Sequence, residues 1–540
     1  MTTPQKSALV AGPPDCFRVR EGNTGILQLG TGPESRRFIP NCDEDAARSL
    51  LLEFQELQNS GGRPLKSNYR AEGFNWYPTT VSFLYWYVFL PFVKYEPLVR
   101  EWAGGKARFH WDGGGSFRTL IELLADEKPK RPLKMRLHYL LMKWSNRVVL
   151  RRSPADLLFF RFARKDFRTV EIRKALDTLG VRYLDVVPAP SIRELLSSLL
   201  RGGRDYCFTQ PPAMNRGNRF GHSYPLDHLD PLKRKLFAAA IRAVETSITS
   251  CLVEYHDHER ALRRCKASTF YGLDDVNGYV FPILYACRTR GMRTIGHQHG
   301  AYVKRHAAYR MEGIEAGEFV WFDHVIVWGE YWREKMRRDS TAYPPDFFIV
   351  GSNKFSSFPS SGETRHRHPK TVLIPYEFLA NTAKIGKYIQ KLLDLGYRVA
   401  FKPRPDDDLD EQLEAYCLPA SYRERLTIMP KLDEAALAEI DIVAGTMTTL
   451  LYELLPCNKV IWVLDTEFHH LDDLVEEHFA VRVRLADLDK LDDSFFRPTR
   501  ADAVSLFGKA SLEETLRDHV LRAAIELNRE QILPPRSRAP

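Results

Sequence analysis

The stretch between Asp441 and Leu464 constrains the fold of this 540-residue chain more than any other feature. It holds two strand-length apolar runs, which are joined by Gly445, the turn Thr446–Thr449 and a short amphipathic helix. Strand, turn, helix and strand in this order predict one unit of a parallel α/β sheet. Backbone N–H groups at the start of that helix favour an anion such as phosphate, although the same turn also suits an ordinary capped helix.

Similar units precede this one. Apolar runs at 346–350, 371–375 and 397–402 predict strands, and a helical pattern at 382–395 separates the last two. Parallel sheets bind ligands beyond the carboxyl ends of their strands, so the polar residues after these runs are expected to lie together. They predict one nucleotide phosphate site, in which an acid one turn into the helix reaches a ribose hydroxyl. Its predicted members are Ser352, Asn353, Glu377, Lys402, Arg404, Thr446, Thr448, Thr449 and Glu453.

The middle of the chain repeats the alternation of strands and helices. Strand patterns at 155–162, 182–187 and 325–328 accompany another at 293–296, which leads into the motif Gly-His-Gln-His-Gly. An imidazole that titrates near neutral pH suits a general base or a phosphate contact, so His299 and His297 are candidate catalytic residues. Extended backbone would place both on one face of the strand. A structural histidine beside a turn is the alternative.

Together the two series predict an α/β, GT-B-like chain with two Rossmann-like, doubly wound domains that face a cleft, and an N-terminal extension. The extension contains an aromatic segment, Phe74–Val93, in which prolines and hydroxyls favour a buried element over a membrane span. The expected divisions are 1–150 for the extension, which would bind an acceptor or a membrane surface, 151–343 for the domain with the histidine motif, 344–500 for the nucleotide domain and 501–540 for a helical tail.

The order of five motifs resembles the bacterial surface-polysaccharide glycosyltransferases of GT-B type, which make capsule and lipopolysaccharide. The resemblance covers roughly residues 150–465 and extends to Kdo and sialic-acid transferases and to CDP-glycerol glycerophosphotransferases. It implies a GT-B fold and a nucleotide-sugar donor. The motifs are TIGHQHGAY (294–302), IVWGEYWREKM (326–336), FIVGSNKF (348–355), FKPRP (401–405) and DIVAGTMTTLLYELL (441–455).

Three short motifs refine what the resemblance implies. In the related CMP-sugar transferases, a His-Pro pair and a Ser/Thr-Ser turn hold the nucleotide phosphate, and here these places are Arg404-Pro405 and Thr448-Thr449. Arginine keeps the positive charge but cannot act as an acid near neutral pH, which leaves both CMP- and UDP-linked donors open. Asp112-Gly113 resembles the acidic motif that carries the general base in bacterial sialyltransferases, so Asp112 is a third catalytic candidate. An ordinary turn is the alternative.

Composition and charge narrow the class of protein. The eight cysteines are scattered without a CxxC pair, which predicts reduced thiols in a cytoplasmic protein and no zinc site. The net charge of +9 includes basic clusters at 128–136 and 147–152, which suit an anionic membrane surface or are simply solvated helix faces. Nucleic-acid-binding motifs are absent from the sequence. The acidic runs Asp274–Asp275 and Asp406–Asp408 are interpreted as solvated turns rather than metal ligands.

The sequence therefore predicts a metal-independent glycosyltransferase that moves a sugar from a nucleotide sugar to a growing capsule or lipopolysaccharide glycan. No cofactor is expected beyond the CMP- or UDP-linked donor, which is a substrate. The expected partners are that donor, a glycan or lipid-linked glycan acceptor and an anionic membrane surface, without nucleic acid, and the expected location is cytoplasmic or peripheral on the inner membrane. A non-hydrolysing nucleotide-sugar epimerase and a catalytically silent polysaccharide-assembly subunit remain as alternatives.

Overall fold

The structure is a computed structural model. It describes residues 15–21, 27–30, 36–38, 40, 43–126, 133–152, 155–164, 166–200, 205–208, 220–274, 276–351, 370–377, 381–404, 408–466, 470–498 and 501–522. The predicted sites Ser352 and Asn353 lie outside the described residues.

The N-terminal extension forms a four-stranded sheet, a short hairpin and several helices. The sheet has the strand order β3-β2-β1-β6, in which β1 and β6 are parallel and the other neighbours antiparallel. The elements are β1 (Asp15–Glu21), β2 (Leu27–Leu29), β3 (Arg36–Phe38), β4 (Arg70–Ala71), β5 (Phe74–Asn75), β6 (Ala107–Trp111), α1 (Glu44–Gln55), α2 (Val81–Leu84), α3 (Leu90–Lys94), α4 (Glu96–Ala103) and α5 (Ser116–Leu124).

The aromatic segment Phe74–Val93 lies in the core, as the sequence predicted. It folds into a 3-10 turn at Tyr77–Thr80, then α2, a π-helical turn at Tyr85–Phe89 and α3. Trp76 and Tyr85 are fully buried, so the segment joins the hydrophobic core rather than a bilayer. Within the described part of the chain, one helix, Pro231–Leu262, is long and apolar enough to cross a membrane, and 50% of its most apolar window is buried inside the protein.

The first large sheet contains seven parallel strands in the order β13-β12-β11-β10-β7-β8-β9. The chain moves outward from the centre to β9, returns to the centre at β10 and then moves outward to β13. The strand order therefore reverses between β7 and β10. The elements are α6 (Leu133–Arg152), β7 (Leu157–Phe160), α7 (Val170–Thr178), β8 (Tyr183–Pro188), α8 (Ile192–Leu200), β9 (Tyr206–Phe208), α9 (Pro231–Leu262), β10 (Thr269–Leu273), α10 (Phe281–Thr289), β11 (Arg293–His297), α11 (Ala307–Arg310), β12 (His324–Val327), α12 (Glu330–Asp339) and β13 (Phe348–Val350).

The second large sheet repeats this plan with six parallel strands in the order β16-β15-β14-β17-β18-β19. Its reversal lies between β14 and β17. The elements are β14 (Thr371–Pro375), α13 (Thr382–Asp394), β15 (Arg398–Lys402), α14 (Leu409–Ala415), α15 (Ala420–Arg423), β16 (Thr427–Ile428), α16 (Glu434–Glu439), β17 (Ile442–Gly445), α17 (Leu450–Glu453), β18 (Val460–Leu464), α18 (Asp472–Glu476) and β19 (Val481–Val483).

These two sheets confirm the predicted fold class, an α/β chain of GT-B type with two Rossmann-like domains and an N-terminal extension. Central strands such as β7, β14 and β18 are buried at every position, as expected of parallel strands covered on both faces. The end of the described chain, α19 (Ala503–Phe507) and α20 (Leu512–Thr515) with a π-helical turn at Leu516–Leu521, returns to the first sheet, where Leu516 packs in one cluster with Leu157.

A buried ion cluster joins the two large domains. Lys335 of α12 is 2% exposed, and its Nζ lies 2.5 Å from Asp473 of α18, 3.3 Å from Asp339 and 3.7 Å from Glu477. Asp473 also accepts a hydrogen bond from the Lys304 backbone N–H at 2.7 Å. One ammonium therefore neutralises carboxylates from both domains. Asp339 and Glu477 also pair with Arg338, whereas removal of the ammonium would leave Asp473, which is 1% exposed, buried without a counter-charge.

We expect Lys335→Ala to lower the free energy of unfolding by about 3–5 kcal/mol, the usual cost of breaking a buried ion pair from one side. Denaturant unfolding of the purified protein measures the loss. Arg337→Ala, on the same helix but 37% exposed, is the matched control and should cost less than about 1 kcal/mol. Equal losses in the two variants would show that the buried cluster does not hold the domains together.

Candidate functional site

The turn after β17 closes around a carboxylate of the protein itself. Glu377, which follows β14, accepts hydrogen bonds from the backbone N–H groups of Thr446 at 2.8 Å, Met447 at 2.9 Å and Thr448 at 2.9 Å. The Thr446 hydroxyl donates to the same carboxylate. A Cβ atom at Gly445 would lie 2.7 Å from Glu377 Oε1, so a larger residue here would displace the carboxylate from the turn. The turn predicted from the sequence is present, but its backbone N–H groups bind Glu377, and phosphate binding at the turn stays a prediction.

The buried position of Glu377 affects its pKa and lets it connect two strands. It is 2% exposed, and burial raises the pKa of the Glu377 carboxyl, while the hydrogen bonds from residues 446–448 oppose this rise. Its contacts bridge β14 and β17, the two strands between which the strand order reverses. In such sheets this reversal opens the crevice in which ligands bind. The N–H groups of this turn are therefore occupied by Glu377 and are not open to another anion.

Hydroxyls and a cation surround the occupied turn. The Thr448 hydroxyl accepts a hydrogen bond from the N–H of Leu450, the first residue of α17, at 3.3 Å, and Thr449 is the residue just before that helix. Lys402 at the end of β15 is half-buried. Burial lowers the pKa of the Lys402 ammonium, and the nearby Glu453 carboxylate partly restores it. Arg404 is exposed, and its backbone N–H donates to Gln412 at 2.8 Å. The predicted residues after β15 and β17 thus share one edge of the second sheet.

A histidine–aspartate pair lies at the corresponding edge of the first sheet. The His299 Nδ1 atom is 2.6 Å from Asp274 Oδ1, and the His299 backbone N–H donates to the same oxygen at 3.0 Å. The Tyr302 hydroxyl donates to the other oxygen of Asp274, and the Tyr309 hydroxyl lies 3.3 Å from His299 Nε2. Asp274 is fully buried. The interpretation of Asp274 as a solvated turn residue is wrong, because it directly follows the central strand β10.

His297 occupies a different environment from His299. It is the last residue of β11 and 3% exposed, and its Nδ1 is 2.8 Å from the hydroxyl of Tyr271 on β10. The side chain of His299 is 18% exposed. The extended strand ends at His297, so the alternation that would have placed both rings on one face does not continue to His299. The geometry gives His299 the orienting carboxylate and gives His297 a buried tyrosine partner.

The histidine motif after β11 and the threonine turn after β17 contact each other where the two large domains meet. The Ala301 backbone N–H donates to the Thr449 hydroxyl at 3.4 Å, and a Cβ atom at Gly300 would lie 3.7 Å from the same oxygen. The Gly-His-Gln-His-Gly motif therefore contacts the threonine turn directly. Gln298 holds the motif in place, because its side-chain oxygen accepts a hydrogen bond from the Trp328 backbone N–H at 2.9 Å. The structure brings together the histidine motif of one domain and the predicted nucleotide turn of the other.

The N-terminal extension also reaches this region, which the sequence did not predict. Glu44 is 3% exposed, and its Oε1 lies 3.3 Å from His470 Nδ1 and accepts from the Tyr85 hydroxyl at 3.3 Å. The ring of His306 lies 5.9 Å from that of His470 and 4.5 Å from that of Tyr309, the neighbour of His299. A chain of aromatic and ionisable groups thus connects all three regions of the protein.

Asp112 lies elsewhere in the extension. It follows β6 in the four-stranded sheet, is about half exposed, and forms an ion pair with Arg18 at 3.7 Å. A catalytic role for Asp112 stays a prediction from sequence. Among the described residues, no group of three or more histidine, cysteine or acidic side chains is placed to hold a metal ion.

Comparisons with known proteins found similar solved structures but no matching family or curated protein. No protein-family model matches the chain, and no curated protein matches it. Similar solved structures include MurG of Acinetobacter baumannii (14% identity, TM-score 0.36, covering 70% of this chain and 100% of that chain). They also include the calicheamicin glycosyltransferase CalG4 (12%, 0.38, 70% and 100%) and the UDP-GlcNAc 2-epimerase of Methanocaldococcus jannaschii in complex with UDP-GlcNAc and UDP (10%, 0.42, 68% and 99%). At these identities and TM-scores the likenesses carry no argument about activity, which has to be inferred from the site.

We expect Glu377→Gln to destabilise the protein by about 1–3 kcal/mol, because an amide would present N–H donors to a turn that itself donates and would leave buried N–H groups unpaired. Denaturant unfolding measures this loss. Glu453→Gln, at the partly exposed end of α17, is the control and should leave stability near that of the wild type. A wild-type unfolding curve for Glu377→Gln would show that the carboxylate does not organise the turn.

We also expect stability to fall as the pH drops from about 6.5 towards 3, in part because of His306. Burial, followed by the charge of His470, lowers the pKa of His306 to about 3 in the folded chain, and its Nδ1 accepts a hydrogen bond from the Tyr309 N–H at 3.3 Å. The unfolded chain therefore binds a proton in this window that the folded chain excludes, which costs at most about 1.4 kcal/mol per pH unit.

Thermal melting of wild type and His306→Asn between pH 7 and pH 5 tests the role of His306. Asparagine can cap the same N–H without taking up a proton, so the variant should lose less melting temperature over this interval. His228→Asn, at an exposed position, should follow the wild type. Parallel losses in wild type and His306→Asn would contradict the assignment.

Proposed function

We propose that the protein is a glycosyltransferase of GT-B type that moves a sugar from a nucleotide-sugar donor to a growing cell-surface glycan of capsule or lipopolysaccharide. One observation carries the proposal: the His299–Asp274 pair of the first domain contacts, through Ala301, the threonine turn at the strand-order reversal of the second. A base on one side and a phosphate-binding crevice on the other are the two components that sugar transfer requires. The donor is CMP- or UDP-linked, no metal ion takes part, and the protein works on the cytoplasmic side.

The His299 geometry supports its role as the general base. Asp274 is a carboxylate that accepts from Nδ1, so the neutral ring carries its proton there and keeps the Nε2 lone pair to accept a proton. The Tyr309 hydroxyl lies 3.4 Å from Nδ1 and 3.3 Å from Nε2, beside both nitrogens rather than along this lone pair. Burial and the Asp274 charge raise the pKa of Tyr302, which therefore stays protonated and continues to hold Asp274 by donating to it. As Nε2 takes a proton, the buried Asp274 carboxylate stabilises the imidazolium that forms.

The proposed reaction balances with the groups present. Nε2 of His299 removes the proton of the acceptor hydroxyl, and that oxygen bonds to the anomeric carbon of the donor sugar. The bond between this carbon and the phosphate oxygen breaks, and the nucleotide leaves with the electron pair. Lys402, with the hydroxyls of Thr448 and Thr449, stabilises the charge on the leaving phosphate, and Arg404 adds charge at the rim. The Glu453 carboxylate is proposed to reach a ribose hydroxyl of the nucleotide, and Ser352 and Asn353, outside the described residues, stay predicted members of the phosphate site.

Incubation of the purified protein with a panel of nucleotide sugars, with and without a lipid-linked glycan, tests the function. Sugar transfer that requires both donor and acceptor supports the proposal. Interconversion of a nucleotide sugar without any acceptor identifies an epimerase instead. Donor binding by calorimetry without either reaction identifies a silent assembly subunit.

In the transfer assay, His299→Ala should lower kcat by about 10²–10⁴-fold, the usual contribution of a positioned general base, with donor affinity near that of the wild type. Asp274→Asn should also lower kcat and shift its pH profile, because an amide cannot stabilise the imidazolium. His297→Asn is the control, with a smaller loss, since His297 contacts Tyr271 and not the turn. Full activity in folded His299→Ala, together with loss of activity in Asp112→Ala, would move the base to Asp112.

A further inference from the structure

Helix α6 exposes an apolar and basic stripe that the catalytic proposal does not use. The exposed positions Leu137, Leu140, Trp144, Arg147 and Arg151 recur every three or four residues, which places them on one face of the helix. The three apolar members are 51%, 61% and 55% exposed in chain order. Isolated exposed apolar side chains are common, but three in succession on one helical face mark a surface that contacts something.

The opposite face of α6 fixes the helix to the edge of the first sheet. Tyr139 and Met142 pack with Leu195 and Cys207 in a separate hydrophobic cluster. The Asn146 side chain donates to the Cys207 carbonyl at 2.7 Å and accepts from its N–H at 2.8 Å, so it pairs with the outer edge of β9. The exposed stripe is therefore the outward face of a well-anchored helix, not the result of a loosely packed one.

The charge of this region indicates the partner. The sequence from Lys128 to Arg152 contains nine lysine and arginine residues and no acidic residue. Within the described part of the chain, no carboxylate forms an ion pair with Arg147 or Arg151. Leucine and tryptophan in the apolar half of a stripe, with arginines continuing along the same face, match the interface of an anionic bilayer, where apolar side chains enter the acyl boundary and cations meet phosphate headgroups.

We propose that the α6 stripe, defined by Leu137, Leu140, Trp144, Arg147 and Arg151, is a docking surface for anionic phospholipid. Leucine and tryptophan insert at the interface, and the arginines bind lipid phosphates. A nucleic acid would need the arginines but not the apolar half, and a second copy of this chain would pair two surfaces of the same positive charge. The inference does not depend on sugar transfer, because lipid binding is measured without donor or acceptor.

Sedimentation of the full chain with vesicles tests the proposal. We expect vesicles of equal parts phosphatidylglycerol and phosphatidylcholine to bind the wild type at least about tenfold more tightly than pure phosphatidylcholine, with weakening as salt is raised. Leu140→Glu/Trp144→Glu should lose at least about tenfold in binding to the anionic vesicles, because carboxylates would face both acyl chains and headgroup charge. Arg147→Gln/Arg151→Gln should bind more weakly and with less salt dependence.

The matched control is Leu395→Glu/Val504→Glu, which makes the same change at two positions that are each 41% exposed outside α6. It should bind vesicles as the wild type does, and melting temperatures should show that all variants are folded. Wild-type binding by Leu140→Glu/Trp144→Glu, or no preference of the wild type for anionic vesicles, would overturn the proposal. It would equally be overturned if the wild type were a dimer that this variant dissociates without lipid, or if it bound RNA through the arginines and ignored vesicles.

Discussion

The hydrogen bonds that converge on the Glu377 carboxylate hold the point on which the rest of the site depends. They tie the end of β14 to the turn after β17, at the place where the strand order of the second sheet reverses. This turn positions the Thr449 hydroxyl, which accepts a hydrogen bond from the Ala301 N–H of the other domain. A buried carboxylate is costly to desolvate and needs N–H donors at defined positions around it. It therefore fixes the backbone that carries those donors.

The N-terminal extension is part of the same body rather than an appendage. Its aromatic segment is buried with α9 and α10, and Glu44 meets His470 of the second domain. His306 packs against Trp86 and His470, and burial is the main cause that lowers the pKa of His306 to about 3, so its ring stays neutral near neutral pH. Three parts of the chain that are distant in sequence therefore share one polar interior next to His299, which gives the extension a direct means of influencing the histidine that the proposed chemistry uses.

The sequence was sufficient for the general plan of the fold and insufficient for the details of the site. Buried parallel strands such as Thr371–Pro375 have continuous apolar runs between clear helix patterns, so their position could be predicted to within a residue. The central strand β10 was not predicted from the sequence, because Thr269–Leu273 follows the long helix α9 closely and contains a glycine. With that strand missing, Asp274 had no strand end to occupy, and its pairing with His299 could not be foreseen. The role of Glu377 was also hidden, since a pattern shows which residues lie at an edge but not which of them contact one another.

The Lys335 cluster limits how the two large domains can move apart. Enzymes built of two domains commonly exchange ligands by hinge opening, in which the halves swing apart as rigid bodies. Here such a swing would pull the buried Lys335 ammonium away from the buried Asp473 carboxylate of α18, while the C-terminal helices return to pack against the first sheet. For the proposed glycosyltransferase, entry and exit of donor and acceptor are thus expected to depend on local rearrangements of the segments that border the site rather than on separation of the two domains.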